Sequence, residues 1–151
     1  MKADLTFDIH YGYWFNLACE RFYKRIDVLL SFVQLTGGSG AAVAAINNNS
    51  SMVVAAGMAL SVCAALSLLI QPAVKAEQHV QAKVRWLALK PQIALLDDAR
   101  LAQEVAAAQS AGPAGIGALS IPAFNASMCA TGQEGRQRLV GLAGRIASAF
   151  S

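Results

Sequence analysis

Charged residues are missing from a long internal stretch of this 151-residue chain. Between Val28 and Val74 the sequence contains no Asp, Glu, Lys, Arg or His. A surface helix of a soluble protein normally shows water a polar side, so two successive charge-free helices are unusual in a soluble domain of this size. The gap in charge therefore favours membrane-spanning helices, and a buried helical hairpin in a soluble protein is the alternative.

Histidine and cysteine are scarce, which limits the catalytic and metal sites that the chain can build. His10 and His79 are the only histidines, and the three cysteines Cys19, Cys63 and Cys129 lie far apart. No Cys and His set has the spacing of zinc ligands, and an odd number of widely spaced cysteines argues against a disulfide framework. We therefore expect free thiols, no metal and no other cofactor.

Motifs for catalysis and for nucleic-acid binding are missing as well. The only glycine-rich run, residues 37–40, lacks the lysine of a phosphate-binding loop. Asp97 and Asp98 are adjacent, so on a helix their side chains point apart and are poorly placed for paired acid and base catalysis. No interleaving of basic and aromatic residues indicates nucleic-acid readout. We expect neither an enzyme nor a nucleic-acid partner.

The charge-free stretch has the pattern of a helical hairpin. Two apolar segments, 28–46 and 52–70, are separated by the polar sequence Asn-Asn-Asn-Ser-Ser at 47–51. Each segment is about twenty residues long, which at the rise of an α-helix spans the hydrocarbon core of a bilayer. We predict a first transmembrane helix over 28–46, a turn over 47–51 and a second transmembrane helix over 52–70.

Basic residues flank this hairpin on both sides. Arg21, Lys24 and Arg25 precede it, and Lys75, Lys83, Arg85 and Lys90 follow it, whereas the turn has no charge. The positive-inside rule therefore predicts a multi-pass protein of the inner (cytoplasmic) membrane with both termini in the cytoplasm. The first apolar run begins too late for a secretory signal, so we expect no cleavable presequence.

Small residues recur every four positions in both apolar segments. Gly37, Ala41 and Ala45 form one such row, Gly40 and Ala44 a second, and Gly57, Ser61 and Ala65 a third. Small residues at this spacing let helix backbones approach closely in a membrane. We expect the two arms to pack on each other through them. The alternative is that several hairpins assemble around a polar path with Gln34, Thr36 and Ser39 turned inward. The candidate packing or pore residues are Gln34, Thr36, Gly37, Ser39, Gly40, Gly57 and Ser61.

Residues 1–27 hold most of the aromatic side chains, and their apolar positions recur at three and four. This pattern predicts an amphipathic helix that runs into the first apolar segment. Trp14, Arg21, Phe22 and Arg25 combine rings with basic groups in the manner of an interfacial anchor at the headgroups of a membrane. Packing of the rings on later cytoplasmic helices is an alternative of equal weight.

The remainder of the chain is predicted to be helical and cytoplasmic. We predict a helix over 72–109 with a bend at Pro91, a loop over 110–133 and an amphipathic helix over 134–150. The last helix carries the apolar residues Leu139, Leu142, Ala143, Ile146 and Phe150 opposite Arg136, Arg138 and Arg145. We expect it to pack on the side of the preceding helix that includes Val80, and binding to anionic lipid is the alternative. The predicted fold is thus one all-α domain over 1–151.

Several of these residues carry a resemblance to a known family. Trp14, Arg21, Phe22 and Arg25 precede the hairpin, and Ala76, His79, Trp86, Leu89 and Ile93 follow it. This arrangement resembles the SLATT families, small bacterial and phage-borne domains with an amphipathic first helix, two transmembrane helices and a cytoplasmic helical tail. The resemblance covers about residues 14–95, with a weaker similarity at Ile121, Pro122 and Asn125.

The resemblance implies a membrane effector of bacterial conflict systems, which perforates the membrane when a partner module senses infection. Membrane lipid, a homo-oligomer and a sensor or regulatory protein would then be its partners, although this chain contains no recognisable sensor domain. Two alternatives remain. One is a phage lysis protein of the holin type, likewise a short hairpin with both ends inside. The other is a helical interaction or scaffold protein that does not perforate the membrane.

The predicted topology can be tested by cysteine labelling in a background without the native cysteines. Asn47→Cys should react with a membrane-impermeant maleimide in intact cells, because the turn faces outward. Lys24→Cys and Lys83→Cys should react only after the cells are permeabilised. Labelling of either lysine position from outside would show that the predicted topology is wrong.

Overall fold

The structure is a computed structural model that describes residues 2–47 and 50–151. Within these ranges the regular elements are helices and no strand is formed. The α-helices are α1 (Lys2–Ile46), α2 (Ser50–Ile70), α3 (Pro72–Leu89), α4 (Gln92–Leu95), α5 (Asp98–Ser110), α6 (Ser120–Ala130) and α7 (Leu142–Ala149). Single 3-10 turns occupy Gly117–Leu119 and Glu134–Arg136. The predicted all-α fold class with two long apolar helices is confirmed.

Helix α1 unites the predicted amphipathic helix of 1–27 and the predicted first arm of 28–46 in one element of 45 residues. No proline interrupts this stretch, so each backbone donor after the first turn finds its helical acceptor. The helix ends at Ile46, and the amide of Asn47 donates to the carbonyl of Val43 at 3.1 Å. Of the predicted turn over 47–51, Asn48 and Asn49 lie outside the described residues, and Ser50 and Ser51 already belong to α2.

Helix α2 ends at Ile70, and the backbone of the next residue, Gln71, is left-handed. Its φ of 48° is in the left-handed region, which a non-glycine residue seldom adopts, and it is common after the last turn of a helix. The Gln71 amide still donates to the carbonyl of Ser67 at 3.0 Å. Pro72 then opens α3, a position where the missing amide hydrogen costs nothing.

The predicted helix over 72–109 is broken twice. Pro91 separates α3 from the short α4, as expected from its effect on a helix interior. A second break, which the prediction missed, lies at Asp97. The Asp97 carboxylate accepts a hydrogen bond from the amide of Arg100 at 2.8 Å and so caps the N-terminus of α5. One of the two adjacent aspartates thus starts a new helix.

The predicted loop over 110–133 is wrong, because it contains the 3-10 turn at Gly117–Leu119 and the whole of α6. Helix α6 is built from small side chains and has no clear apolar period, so its sequence resembles a linker. Ala123, Ser127 and Met128 are nevertheless buried. Pro122 lies in its first turn, where a helix tolerates proline.

The predicted helix over 134–150 is also shorter than expected, since α7 begins only at Leu142. The side-chain amide of Asn125 explains the difference. Its Nδ2 donates to the Arg138 carbonyl and its Oδ1 accepts from the Arg138 amide, both at 2.8 Å. This pair of bonds occupies both backbone groups of Arg138 and competes with helix formation there.

The single domain predicted from the chain length divides into two compact units. The helical unit comprises Met1–Phe22 and Lys75–Ser151, and the hairpin unit comprises Tyr23–Val74. In the hairpin unit the two arms meet along positions spaced by seven. Leu30, Gly37 and Ala44 of α1, and Val53, Leu60 and Ser67 of α2, are less exposed than their neighbours. This is the spacing of two helices that pack at a shallow angle.

Both long helices of the chain pass the criteria for a membrane span by length and composition. The most apolar window has a mean hydropathy of 1.5 in Lys2–Ile46 and 2.4 in the stretch that begins at Ser50. Every residue of α2 remains at least partly exposed. The most apolar helix of the chain therefore contributes nothing to a buried core.

The helical unit has a core of its own in two clusters. The first contains Ile9, Trp86, Leu89, Leu101 and Val105 and joins α1, α3 and α5. The second contains Cys19, Leu119 and Ala147 and joins α1, the 3-10 turn and α7, with Phe15 and Phe22 packed against it. The part of α1 in this unit, up to Phe22, thus contacts α3, α5, α7 and the 3-10 turn at Gly117–Leu119.

Gly12 is required where α1 crosses the indole ring of Trp86. A Cβ at Gly12 would overlap that ring, whereas a Cβ at Gly117 would meet nothing within 4 Å. Gly12→Ala should lower the free energy of unfolding by about 1–3 kcal/mol through overpacking, even though alanine has the higher helix propensity. Denaturant unfolding of the detergent-solubilised protein, followed by circular dichroism, measures this, with Gly117→Ala as the matched control. A Gly12→Ala protein at least as stable as the wild type would contradict the packing described here.

Candidate functional site

Three of the predicted hairpin residues on α1, Gln34, Gly37 and Gly40, are only partly exposed. The Gln34 amide Nε2 donates to the hydroxyl of Ser67 on α2 at 3.2 Å. A Cβ at Gly37 would lie 3.1 Å from the side chain of Leu60, so the absence of a side chain allows the arms to approach. Such a hydrogen bond between helices contributes about 0.6 kcal/mol in a membrane.

Thr36 and Ser39 lie on exposed parts of α1. The Thr36 hydroxyl donates to the carbonyl of Phe32 at 2.8 Å, and the Ser39 hydroxyl donates to the carbonyl of Leu35 at 2.9 Å. Each donor is satisfied within its own helix, so neither residue needs water. Gln34 contacts α2, whereas Thr36 and Ser39 are exposed, so the three residues do not share one side of the hairpin. A polar path inside a single hairpin would require them to do so.

The small residues of α2 face away from α1. Gly57, Ser61 and Ala65 are all exposed, and a Cβ at Gly57 would meet nothing within 4 Å. The Ser61 hydroxyl donates to the carbonyl of Gly57 at 2.9 Å. The expected packing of the arms through this row of α2 is wrong, because the row is exposed and the larger side chain of Leu60 meets Gly37 of α1 instead.

The predicted interfacial anchor is divided between two environments. Trp14 lies edge-on to Tyr13, with 5.5 Å between ring centres, and shares a small cavity with Pro122 of α6. Phe22 lies edge-on to Phe150 at 6.2 Å. The two rings thus contact side chains of the helical unit, while Arg21 and Arg25 are exposed.

A buried polar network, which the sequence analysis missed, joins α1 and α3 within the helical unit. Asn16 and Glu20 are each 6% exposed and His79 is fully buried. The Nδ1 atom of His79 lies 2.8 Å from the Oδ1 atom of Asn16, and Lys83 forms an ion pair with Glu20. The Asn16 amide donates to the carbonyl of Gly12 at 2.8 Å. Since that bond turns Oδ1 toward the imidazole, His79 donates from Nδ1.

The spacing of these residues could have indicated the network. Asn16 and Glu20 are four residues apart on α1, and His79 and Lys83 are four apart on α3, so each pair lies on one side of its helix. In the structure Asn16, Glu20 and His79 are buried, and Lys83 is partly exposed. A buried charged group needs a partner of opposite charge, so a buried Glu20 implies a basic side chain on the helix that packs against it, here Lys83.

The environment of this network disfavours charge on the imidazole. Burial lowers the pKa of His79 below its usual 6.5, and a backbone hydrogen bond at Ala114 and the negative charge of Glu20 oppose this effect. Burial also raises the pKa of the Cys19 thiol, which makes that cysteine a poor nucleophile. All three cysteines are free thiols, as predicted. Among the described residues, no group of three or more His, Cys, Asp or Glu side chains is arranged to hold a metal ion.

Comparisons with known proteins find no match for this chain among family models, curated proteins or solved structures. The resemblance to the SLATT families stays a prediction from the residues named above. Two features of the structure bear directly on function. These are the exposed apolar hairpin unit and the helical unit with its buried network.

The buried imidazole predicts a pH dependence of stability. Because the folded state lowers the pKa of His79, the unfolded state binds more protons below pH 6.5, and stability is lost as the pH falls through this value. His79→Gln keeps a hydrogen-bonding side chain without the titration, so its unfolding midpoint should change less between pH 7.5 and pH 5.5. The comparison is made in a His10→Gln background, because burial also lowers the pKa of His10 and would add a second titration over the same pH range. Equal slopes with and without His79→Gln in that background would contradict the assignment.

Proposed function

We propose that the chain is a small, non-enzymatic integral membrane protein whose hairpin unit inserts in the inner membrane, assembles with further copies and perturbs the bilayer. The observation that carries the proposal is the exposure of α2. It is the most apolar helix of the chain, and it has no buried residue. Lipid supplies the apolar surroundings that the folded chain does not.

Large side chains on the hairpin illustrate the need for lipid. Leu68 and Leu69 of α2 are 75% and 81% exposed, and Ile46 at the end of α1 is 80% exposed. Keeping one such side chain in water instead of an apolar environment costs about 1.5–3 kcal/mol. With no charged group between Val28 and Val74, insertion has no ionic penalty to offset this gain.

Assembly is supported by the small residues that the hairpin does not use internally. Gly57, Ser61 and Ala65 leave an uncovered row along α2, and Ser39 lies on the exposed part of α1. Rows of this kind allow a second helix to approach closely in lipid. A membrane-perturbing homo-oligomer, as the resemblance to the SLATT families implies, needs such a surface. We further propose that a sensor or regulatory protein binds the helical unit and triggers the perturbation of the membrane.

A second candidate function is a membrane anchor that displays the helical unit without perforating the bilayer. One observation favours it. The hydroxyls of Thr36, Ser39 and Ser61 are bonded to carbonyls of their own helices at 2.8–2.9 Å. These groups are satisfied in lipid, so their presence does not require a water-filled path.

Expression in cells that carry a potential-sensitive dye separates the two functions. The wild type should stay in the membrane pellet after a carbonate wash and should depolarise the cells. Gly57→Leu combined with Ser61→Leu should insert equally well but lose most of the depolarisation, because bulky side chains keep a second hairpin away. Met58→Leu, at a position that is 62% exposed, is the matched control and should behave like the wild type.

Each other result assigns a different function. Wild-type protein at high level in the membrane with a normal potential would exclude perforation under those conditions and favour the anchor. Depolarisation that survives the double substitution would exclude assembly through the α2 row. Release of the wild type by carbonate would overturn membrane insertion itself.

A further inference from the structure

A groove in the helical unit is lined by charges of both signs. It lies between the N-terminal part of α1, helix α6 and the segment that precedes α7, and it consists of two cavities of about 250 and 510 Å³. Phe7, Asp8, Phe124 and Arg138 line both cavities, and we call the space around these four side chains the charged groove. Helix α7 packs on α6 and the 3-10 turn before it, and not on the region of Val80 as expected from the sequence. Pockets for small molecules have volumes of about 300–1,000 Å³, so the groove can hold a ligand of modest size.

The apolar part of the charged groove is largely aromatic. Phe7 lies edge-on to Phe124, with 5.4 Å between ring centres, and stacks on Tyr11 at 6.1 Å. Ile121 lines the smaller cavity and Met128 lines the larger one. These rings and aliphatic side chains offer an apolar part of a ligand a place away from water.

The positive side of the groove is held in place by contacts that leave its charge intact. The side-chain amide of Asn125 bonds to the backbone amide and carbonyl of Arg138, both at 2.8 Å, and the Arg138 guanidinium lies 4.4 Å from the centre of the Phe124 ring. Arg136 also lines the larger cavity, and its guanidinium donates to Oε1 of Gln133 at 3.3 Å. Neither arginine forms an ion pair within the described ranges 2–47 and 50–151.

The negative side of the groove belongs to α1. Asp8 is half-buried, and Asp4, one helical turn earlier, lines the larger cavity with it. Burial and the negative charge of Asp4 both raise the pKa of Asp8 above its usual 3.8. In the part of the chain that the structure describes, no basic side chain forms an ion pair with Asp8, although Arg138 lines the same cavities. A cation beside Asp8 would therefore relieve an unfavourable electrostatic environment.

We propose that the charged groove binds an α-amino acid in its zwitterionic form. The ammonium group pairs with Asp8, the carboxylate pairs with Arg138, and an apolar side chain packs on the aromatic rings. Two aspartates and two arginines line the larger cavity, so a ligand with a single charge is attracted by one pair and repelled by the other. A guanidinium binds a carboxylate with paired donors, and an ammonium group is attracted both to carboxylates and to aromatic faces. This site lies within the helical unit and does not depend on the proposed insertion of the hairpin unit.

Isothermal titration calorimetry of the full chain in a non-ionic detergent tests the proposal with three probes. L-phenylalanine carries both charges, phenethylamine lacks the carboxylate and 3-phenylpropionate lacks the ammonium group. We expect L-phenylalanine to bind about tenfold more tightly than either analogue, because each analogue loses one charge-assisted contact and keeps the repulsion of the like charge in the groove. Analogues that bind as tightly as L-phenylalanine would overturn the zwitterionic class of ligand.

Two substitutions in the groove remove one charge each. Asp8→Asn should weaken the binding of L-phenylalanine about tenfold and should narrow its advantage over 3-phenylpropionate, which has no ammonium group to pair with Asp8. Arg138→Gln should narrow the advantage over phenethylamine in the same way, and the backbone bonds of this residue to Asn125 stay possible. Asp98→Asn and Arg100→Gln remove the same charges on α5, outside the groove, and are the matched controls.

Each remaining outcome decides the proposal. Binding of L-phenylalanine that neither groove substitution weakens, in variants with the helicity of the wild type, would place the site elsewhere and overturn the proposal. Equal weakening in the control variants would also overturn it, since a general effect of net charge would then be responsible. No heat of binding up to millimolar L-phenylalanine overturns the proposal as well. Insertion of the hairpin unit would still stand, because the carbonate wash measures that insertion independently.

Discussion

The organisation of this protein depends on one property of the sequence, which is that the stretch from Val28 to Val74 carries no charged side chain to place in water. The two arms cover each other only along a narrow contact that includes Leu30, Gly37 and Leu60. The rest of their apolar surface is exposed, and α2 contributes no residue to a core. Both helices are long and apolar enough to cross a membrane by length and composition.

The helical unit, by contrast, buries apolar side chains in a core of its own. Its first helical segment, up to Phe22, supplies both apolar residues such as Ile9 and the buried polar pair Asn16 and Glu20. Burial of Glu20 is tolerated because Lys83 neutralises it. An ion pair of this kind adds little net stability compared with an apolar pair, but losing one member is costly. It therefore favours one alignment of α1 and α3 over others.

Long patterns in the sequence predicted the helices correctly, and short patterns did not. The two apolar segments followed from runs of many residues, and α2 (Ser50–Ile70) begins and ends close to the predicted bounds 52–70. Helix α6 was missed because alanine, serine and proline resemble a linker until Met128 and Ser127 are seen to be buried. The start of α7 was missed because Asn125 pairs with Arg138, a contact between residues 13 positions apart that no local pattern reveals.

Composition by itself determined that this chain is helical, that it carries two arms long and apolar enough for a bilayer, and that its cysteines stay unpaired. Only the tertiary structure decided which sides of the helices are used. It turned Gln34 toward Ser67, left Gly57 and Ser61 uncovered, brought His79 to Asn16 and directed Leu142 and Ile146 outward. The physical reason is that spacing in the sequence shows which residues share one side of a helix. Which side is buried depends on the size and polarity of side chains from helices that are distant in the sequence.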